Sequence, residues 1–371
     1  MGALKGRLGR WGVAGMSAIA IGVGLGSCAS RPESTDVSTD ASSASESDEA
    51  VQIVTTIVPM TQFTQAVAGD RAEVIQLLPA NVGPHDYQAK PTDVLAIANA
   101  DVLVKNGLEL EFFLDDLINN ADNADLAVID SSQGISTFAT QADDHDHADA
   151  HEDEDHDSSE GDVEIEDDAH EHGSADPHVW LDPKRAIEQV ENIRDGLIAA
   201  DPAGEVEYMA NAAAYIEQLQ ALDDDITERL APYAGKTFIA FHDFAFYFAD
   251  SYGLKVEYLV DIPEENPAPG DVRRIIETAR AENIKALLTE PQAGNNAFDS
   301  LSKDLNVGVS AFDPMETGEP AASEPDYYFT IMQNNVDSLE AALGESAQSW
   351  EGGAQLLAAV PKRMAQVIPV L

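Results

Sequence analysis

The stretch VQIVTTIVPM at residues 51–60 opens the folded part of the chain and sets its repeating pattern. A short run rich in valine and isoleucine leads directly into a helical stretch predicted over 60–68. Three further apolar runs follow, AEVIQLLP (72–79), ADVLVKNG (100–107) and LAVIDS (126–131), with helical stretches at 91–99 and 109–120. Continuous apolar runs that alternate with helices are typical of a parallel sheet covered on both faces.

The second half of the chain repeats this alternation after two helices. The helices are predicted over 183–200 and 203–230, and in the longer one Ile216, Leu219, Leu222, Ile226 and Leu230 recur at the spacing of a single buried stripe. Four apolar runs follow, KTFIAFHD (236–243), KVEYLVD (255–261), IKALLTEP (284–291) and VGVSAFDP (307–314), and then helices near 324–345 and 353–367. We therefore predict an α/β fold of two lobes, each a small mainly parallel sheet flanked by helices, joined by one long rigid helix.

The N-terminal segment has the features of an export signal. Residues 1–10 are basic, and residues 11–25 form a run of about 15 apolar residues, which is short for a transmembrane helix. Leu25-Gly26-Ser27-Cys28 resembles a bacterial lipobox, in which the signal is cleaved before the cysteine and its thiol is lipidated. We expect an exported protein that is tethered to a membrane through Cys28 without spanning it. An ordinary signal peptide with an incidental cysteine is the alternative.

Composition also separates the segment after the export signal from the folded part of the chain. Residues 29–50 consist mainly of serine, aspartate and glutamate and have almost nothing to bury, which predicts a solvated tether. The predicted boundaries are a signal peptide at 1–27, a disordered acidic tether at 28–50, an N-terminal lobe at 51–202, a linking helix at 203–232 and a C-terminal lobe at 233–371.

Charge and cysteine content exclude several classes of protein. The 371 residues include 20 Lys and Arg against 68 Asp and Glu, which gives a formal net charge of −48. Such an excess of negative charge would repel every phosphate of a nucleic acid, so we expect no nucleic-acid partner. A single cysteine excludes a disulfide framework, a cysteine-rich zinc site and a CxxC redox pair.

Three isolated histidines lie at or just beyond the ends of predicted strands. His85 follows the run 72–79, His178 lies in DPHVWLDP, and His242 ends TFIAFH, while Asp313 ends VGVSAFDP in the same way. Ligands of open parallel α/β sheets bind outside the carboxyl ends of the strands. Three imidazoles and a carboxylate suit a borderline divalent ion such as Zn²⁺. The four residues could therefore converge on a metal in the cleft between the lobes, although each alone could equally be structural.

Five ordered motifs resemble the metal-binding proteins of zinc and manganese ABC importers, and most closely the zinc-binding ZnuA-like lipoproteins. The motifs are PHDYQAKPTDV (84–94), DPHVWLDP (176–183), AFHDFAFYFADSYGL (240–254), LLTEPQ (287–292) and AFDPM (311–315). The resemblance covers nearly all of residues 51–371. It implies a two-lobe fold with a rigid linking helix and a metal between the lobes. It also implies that His85, His178, His242 and Asp313 are the ligands.

The residue types within these motifs favour zinc over manganese. Many manganese-specific relatives have glutamate at the position of His242, and imidazole favours zinc whereas a second carboxylate suits manganese. The fourth ligand stays open, because water replaces the corresponding acid in some zinc members. Glu290 is expected to be structural or to support a ligand, with direct ligation as the alternative. Pro84 stands where some zinc members carry an additional acidic ligand.

Residues 143–172 form a histidine-rich acidic segment within the predicted N-terminal lobe. It has 16 acidic residues and no basic one, and its histidines are His145, His147, His151, His156, His170 and His172. We expect a disordered loop, because so little of it can be buried. Its imidazoles and carboxylates would bind additional zinc ions weakly, gathering zinc or sensing its excess without forming the tight site. ZnuA-like proteins often carry such a loop at this place.

The resulting functional hypothesis is a non-catalytic, monomeric binding protein outside the cytoplasmic membrane, in the periplasm or an equivalent compartment. It would capture Zn²⁺ and deliver it to an ABC permease, whose ATPase must be a separate chain because this sequence has no GxxxxGK[ST] loop. Three alternatives remain: a manganese-specific or mixed-metal binding protein, a metal-buffering surface adhesin, and a zinc hydrolase in which Glu290 serves as general base.

Overall fold

The structure is a computed structural model that describes residues 50–85, 87–138, 175–261, 266–293 and 298–344. Several predicted features lie outside these residues: the signal peptide, the tether up to residue 49, the histidine-rich segment 143–172 and the helix at 353–367. No helix among the described residues is both long and apolar enough to cross a membrane.

The first lobe contains a four-stranded parallel sheet. Its strands are β1 (Val51–Thr55), β2 (Ala72–Gln76), β3 (Val102–Lys105) and β4 (Ala127–Asp130), in the order β2-β1-β3-β4. All four pair in parallel, as the alternation of apolar runs and helices predicts. The order changes direction at β1, which places a crevice at the carboxyl ends of β1 and β3.

In the described ranges of this lobe, four helices accompany the sheet: α1 (Val58–Ala68), α2 (Pro91–Ala98), α3 (Leu114–Ala121) and α4 (Pro183–Ala200). The start of α4 follows directly from its sequence. Asp182 caps it by accepting a hydrogen bond from the Lys184 amide, and Pro183 occupies the first helical position, where an amide hydrogen is not needed.

The second lobe has the same topology. Its strands are β5 (Thr237–Ala240), β6 (Lys255–Tyr258), β7 (Ala286–Thr289) and β8 (Gly308–Ala311), all parallel in the order β6-β5-β7-β8. Its helices are α6 (Phe246–Ser251), α7 (Pro269–Ala281), α8 (Asp299–Leu305) and α9 (Tyr327–Leu343). We predicted α9 but not α6, α7 or α8. The first and last of these three are shorter than two turns, and α7 buries only Ile275 and Ala279, which makes its apolar periodicity weak.

The linking helix is α5 (Glu205–Leu230), 26 residues long. Its buried stripe runs through Tyr208, Ala212, Tyr215, Leu219, Leu222, Ile226 and Leu230. Ile216, which we had placed in this stripe, is only partly buried, and Tyr215 takes that position. The aromatic ring of Tyr215 packs against Phe63 of α1 at 6.0 Å and against Phe329 of α9 at 5.1 Å between ring centroids. The fold is therefore the predicted two-lobe α/β architecture with a long helix between the lobes.

Trp180 joins the two lobes at the base of the cleft. It is completely buried, and its indole N–H donates to the carbonyl oxygen of Pro314 at 2.8 Å. In return, the hydroxyl of Tyr328 in α9 donates to the Trp180 carbonyl oxygen at 2.7 Å. Tyr328 also packs on Phe63 of the first lobe. These contacts fix the segment that contains His178 relative to the second lobe.

The hydrogen bond from Tyr328 to Trp180 gives a test of this connection. Tyr328→Phe would leave the buried Trp180 carbonyl without its donor, so we expect the free energy of unfolding to fall by about 1–3 kcal/mol. The measurement is urea unfolding followed by tryptophan fluorescence. Tyr327→Phe is the matched control, because Tyr327 is adjacent but only partly buried, and its effect should be smaller. Equal stability of the Tyr328→Phe and wild-type proteins would contradict the assignment.

Candidate metal site

Four side chains meet between the two lobes. His85, His178, His242 and Glu316 each offer a ligand atom, and these atoms all lie within 4.8 Å of one another. Within the described part of the chain, these are the side chains placed so that they could hold a metal ion together. The structure thus brings together the three histidines that the sequence singled out and Glu316, a carboxylate that the sequence did not single out.

Each residue comes from the carboxyl end of a sheet. His85 lies in the loop after β2, and His178 begins the turn that leads to α4. His242 is two residues beyond β5, and Glu316 follows β8. Each lobe therefore contributes two residues, at the edge where ligands of parallel α/β sheets bind.

One carboxylate oxygen, Glu316 Oε1, lies at the centre of the group. The Nε2 atoms of His178, His85 and His242 are 2.9, 3.4 and 3.5 Å from it. The side chains of His178, His242 and Glu316 are 2%, 0% and 1% exposed, whereas that of His85 is 11% exposed. The site is therefore nearly closed, and it reaches solvent on the side of His85.

Two carboxylates set the orientation of two imidazoles. Asp176 Oδ1 lies 2.8 Å from His178 Nδ1 and also accepts the His178 backbone N–H at 2.9 Å. Glu290 holds His242 in the same way, with Oε2 at 2.7 Å from Nδ1 and Oε1 accepting the backbone N–H at 3.0 Å. A carboxylate on Nδ1 fixes the ring and leaves Nε2 available as a ligand. Glu290 thus lies behind His242, while Asp176, two residues before His178, is a supporting residue that we had not singled out.

The second lobe also supports the His178 segment from outside the site. The hydroxyl of Tyr247 in α6 donates to the Asp176 carbonyl oxygen at 2.7 Å, and the ring of Tyr247 packs against Phe138 at 5.2 Å. The guanidinium of Arg185 in α4 lies 4.5 Å from the centre of the Tyr247 ring. The second lobe therefore helps to fix the backbone of Asp176, the residue whose carboxylate orients His178.

Charge is concentrated in a small buried volume. Burial opposes protonation of His178, but the hydrogen bonds that its ring donates to Asp176 and Glu316 outweigh it and raise the pKa of His178 to about 9. The pKa of His242 is likewise raised well above its ordinary value, because Glu290 and Glu316 outweigh burial. Burial would raise the pKa of Glu316, yet the facing imidazoles hold it well below its usual range. In the metal-free site the facing charges thus favour an ionised Glu316 and protonated rings of His178 and His242.

Asp313, the carboxylate that we expected in the ligand set, does not belong to this group. Its Oδ1 accepts the Met315 backbone N–H at 2.8 Å, and its own backbone N–H and carbonyl oxygen are both bound by the Asn335 side chain at 2.8 Å. Burial, with repulsion from Glu290 and Glu316, raises the pKa of Asp313 to about 7 despite the Met315 hydrogen bond. A carboxyl group that is held within its own loop, and whose raised pKa favours its protonated form, is a poorer ligand than Glu316.

A left-handed residue explains why Glu316 takes the place expected for Asp313. Met315 has φ of 60°, a conformation that is uncommon for residues other than glycine. The Met315 amide donates a hydrogen bond to Asp313 Oδ1. At Met315 the left-handed conformation then turns the chain, so that the side chain of Glu316 enters the site. Nothing in the pattern AFDPMETG marks this turn, because it requires neither glycine nor asparagine.

The donor set has the chemistry of a zinc site. Three imidazole nitrogens and one carboxylate oxygen form a four-ligand set that suits the tetrahedral preference of Zn²⁺. The Nε2 atom of His242 is buried, and Glu316 Oε1 at 3.5 Å is too far away to satisfy it with a well-formed hydrogen bond, as expected of a ligand atom without its ion. The other predicted site residues, Cys28 and the six histidines between 145 and 172, lie outside the described part of the chain.

Comparison with known proteins finds matches that cover the same two-lobe region. The family described as "Zinc-uptake complex component A periplasmic", ZnuA, matches residues 53–342. The zinc-binding lipoprotein AdcA of Streptococcus pneumoniae serotype 4 is 31% identical over 300 residues, which cover 80% of this chain and 56% of that protein. The manganese-binding lipoprotein MntA of Halalkalibacterium halodurans is 27% identical over 304 residues, 81% of this chain and 91% of MntA.

The solved structures agree with these sequence matches. The Zn(II)-bound ZnuA-like domain of Streptococcus pneumoniae AdcA aligns with a TM-score of 0.64 and 29% identity, covering 80% of this chain and 99% of that domain. The chain spans little more than half the length of the AdcA proteins, and its likeness is to their ZnuA-like part. From the extent of the family match and the shared two-lobe fold, we conclude that this chain belongs to the ZnuA family.

Proposed function

We propose that this protein captures Zn²⁺ outside the cytoplasmic membrane and delivers it to an ABC-type permease. The observation that carries the proposal is the convergence of three imidazole Nε2 atoms on one Glu316 oxygen between the lobes. All four protein ligands lie in one nearly closed group, which favours binding over catalysis, since a catalytic zinc keeps a position open for water or substrate. The family's description as a component of a zinc-uptake complex supports the transport role.

The ligands in this proposal are His85, His178, His242 and Glu316. Asp176 and Glu290 would raise the basicity of His178 and His242 and hold their rings in place. Because two ligands come from each lobe, loss of the ion would leave Glu316 as the main link between the imidazoles. Small shifts between the lobes would then change the ligand geometry, which offers a route to release.

We further propose that Cys28 carries a lipid anchor and that the signal, tether, lobes and linking helix divide as the sequence predicts. The lipobox-like sequence supports the anchor, and the AdcA relative from Streptococcus pneumoniae is itself described as a lipoprotein. The protein would act as a monomer, with its ATP-hydrolysing partner on a separate chain. The histidines of residues 143–172 would bind additional zinc ions weakly.

Zinc rather than manganese is the proposed cargo. Three nitrogen ligands suit zinc, whereas manganese prefers a larger shell with more oxygen ligands. The similarity to a manganese-binding lipoprotein makes manganese the necessary competitor in any test.

Metal competition tests the binding role directly. The purified chain, with and without residues 143–172, would be titrated with zinc and manganese against a calibrated chelator. We expect one tight zinc per chain in both forms, displaced only weakly by manganese, because none of the four proposed ligands lies in the deleted segment. Tight binding that disappears with the deletion, or a preference for manganese, would contradict the proposal.

The identity of the carboxylate ligand can be tested with a matched pair of substitutions. Glu316→Gln removes the central charge and should weaken zinc binding by at least about 100-fold, more than loss of a supporting residue usually costs. Asp313→Asn is the control and should change zinc affinity little, because the Asp313 carboxylate is bound within its own loop. Both affinities come from chelator competition, with circular dichroism to verify folding. The reverse ranking would restore Asp313 as the ligand.

Zinc binding should release protons at neutral pH. His178, with a pKa of about 9, and His242, with a raised pKa, must lose their protons before zinc can bind to their Nε2 atoms. Zinc affinity should therefore rise with pH up to about 9 and fall as the solution becomes more acidic. Calorimetry at pH 7 in two buffers of different ionisation enthalpy measures the protons released, which should exceed one per zinc. Binding without proton release would contradict the assigned protonation states.

A further inference from the structure

The two oxygens of Glu316 have different partners. Oε1 faces the three imidazoles, at distances of 2.9 to 3.5 Å from their Nε2 atoms. Oε2 accepts a hydrogen bond from the side-chain Nε2 of Gln292 at 2.7 Å. One oxygen of the carboxylate therefore faces the metal position, and the other is held by the Gln292 amide.

The sequence and charge of this region fix the orientation of that amide. Gln292 lies three residues after the end of β7 and two residues after Glu290. One short segment therefore positions His242 through Glu290 and Glu316 through Gln292. The opposite orientation of the amide would place its carbonyl oxygen 2.7 Å from Oε2 of Glu316, an unfavourable contact between two oxygen atoms. The Gln292 Oε1 atom is buried and has no hydrogen-bond partner among the described residues. The charge-assisted bond to Glu316 offsets the cost of that unpaired acceptor.

We propose that Gln292 is a specificity-determining residue that limits Glu316 to one metal-binding oxygen. A carboxylate can bind a metal through one oxygen or both, and the bond from Gln292 withdraws Oε2 from the metal. The protein then offers three nitrogens and one oxygen, the four ligands that zinc prefers. Manganese favours six ligands, most of them oxygen atoms. Restricting Glu316 to one oxygen therefore lowers the affinity for manganese more than the affinity for zinc. The inference rests on the proposed zinc-binding function and deepens it by naming a determinant of metal choice.

Gln292→Met tests this inference with a side chain of similar length that lacks the amide donor. We expect Oε2 of Glu316 to become available to the metal, so that the ratio of zinc to manganese affinity falls by about 10-fold or more. The measurement is chelator competition with zinc and manganese salts on the full chain. Gln292→Ala provides a second variant, and Gln133→Met is the matched control at an exposed glutamine.

Cobalt spectroscopy adds a readout that a purely structural role would not change. The visible absorption of bound Co²⁺ is intense in a four-coordinate site and weak when coordination increases. We expect intense absorption in the wild-type protein and weaker absorption in both Gln292 variants, while the melting temperature of the metal-free protein shows that each variant folds. If wild-type protein binds zinc tightly but neither the affinity ratio nor the cobalt spectrum changes in the variants, the role of Gln292 is wrong. Failure of the wild-type protein to bind zinc tightly would instead overturn the proposed function itself.

Discussion

The site depends on one constraint: a single carboxylate oxygen must face three imidazoles from two different lobes inside a nearly closed cleft. Burying Glu316 alone would be costly, and burying several protonated imidazoles together would be more so. The metal-free protein balances these groups against one another, which explains the raised pKa of His178 and His242 and the lowered pKa of Glu316. A divalent cation can replace those protons as the positive charge at the same place.

Much of the fold outside the site serves to keep these side chains in position. Asp176 and Glu290 orient two of the imidazoles, and Gln292 holds the outer oxygen of Glu316. Trp180 and Tyr328 connect the His178 segment to the second lobe, so neither half of the ligand set is independent of the other. Of the four side chains in the site, His85 is the most exposed, so an ion that enters the cleft would meet it first.

Sequence reasoning predicted the elements that follow from periodicity and the residues that follow from topology. The eight strands of the described residues and the helices α1, α2, α4, α5 and α9 lie close to their predicted positions, because apolar runs and buried stripes determine them locally, whereas α3 begins five residues later than predicted. The sequence singled out the three histidines that the structure brings together, because strand ends share one edge of a parallel sheet. Glu316 was missed because its position depends on the left-handed Met315 and on the bonds that hold Asp313, neither of which leaves a pattern in the sequence. The partners of Asp176 and Gln292 likewise arise only from tertiary packing.

The position of a bound zinc ion is the most direct test of this account. Crystals of the full chain loaded with one equivalent of zinc would give anomalous diffraction at the zinc absorption edge, which locates the ion independently of the protein atoms. We predict a single strong peak between the Nε2 atoms of His85, His178 and His242 and the Oε1 atom of Glu316. A peak bound by Asp313 in place of Glu316, or a principal peak among the histidines of residues 143–172, would contradict it.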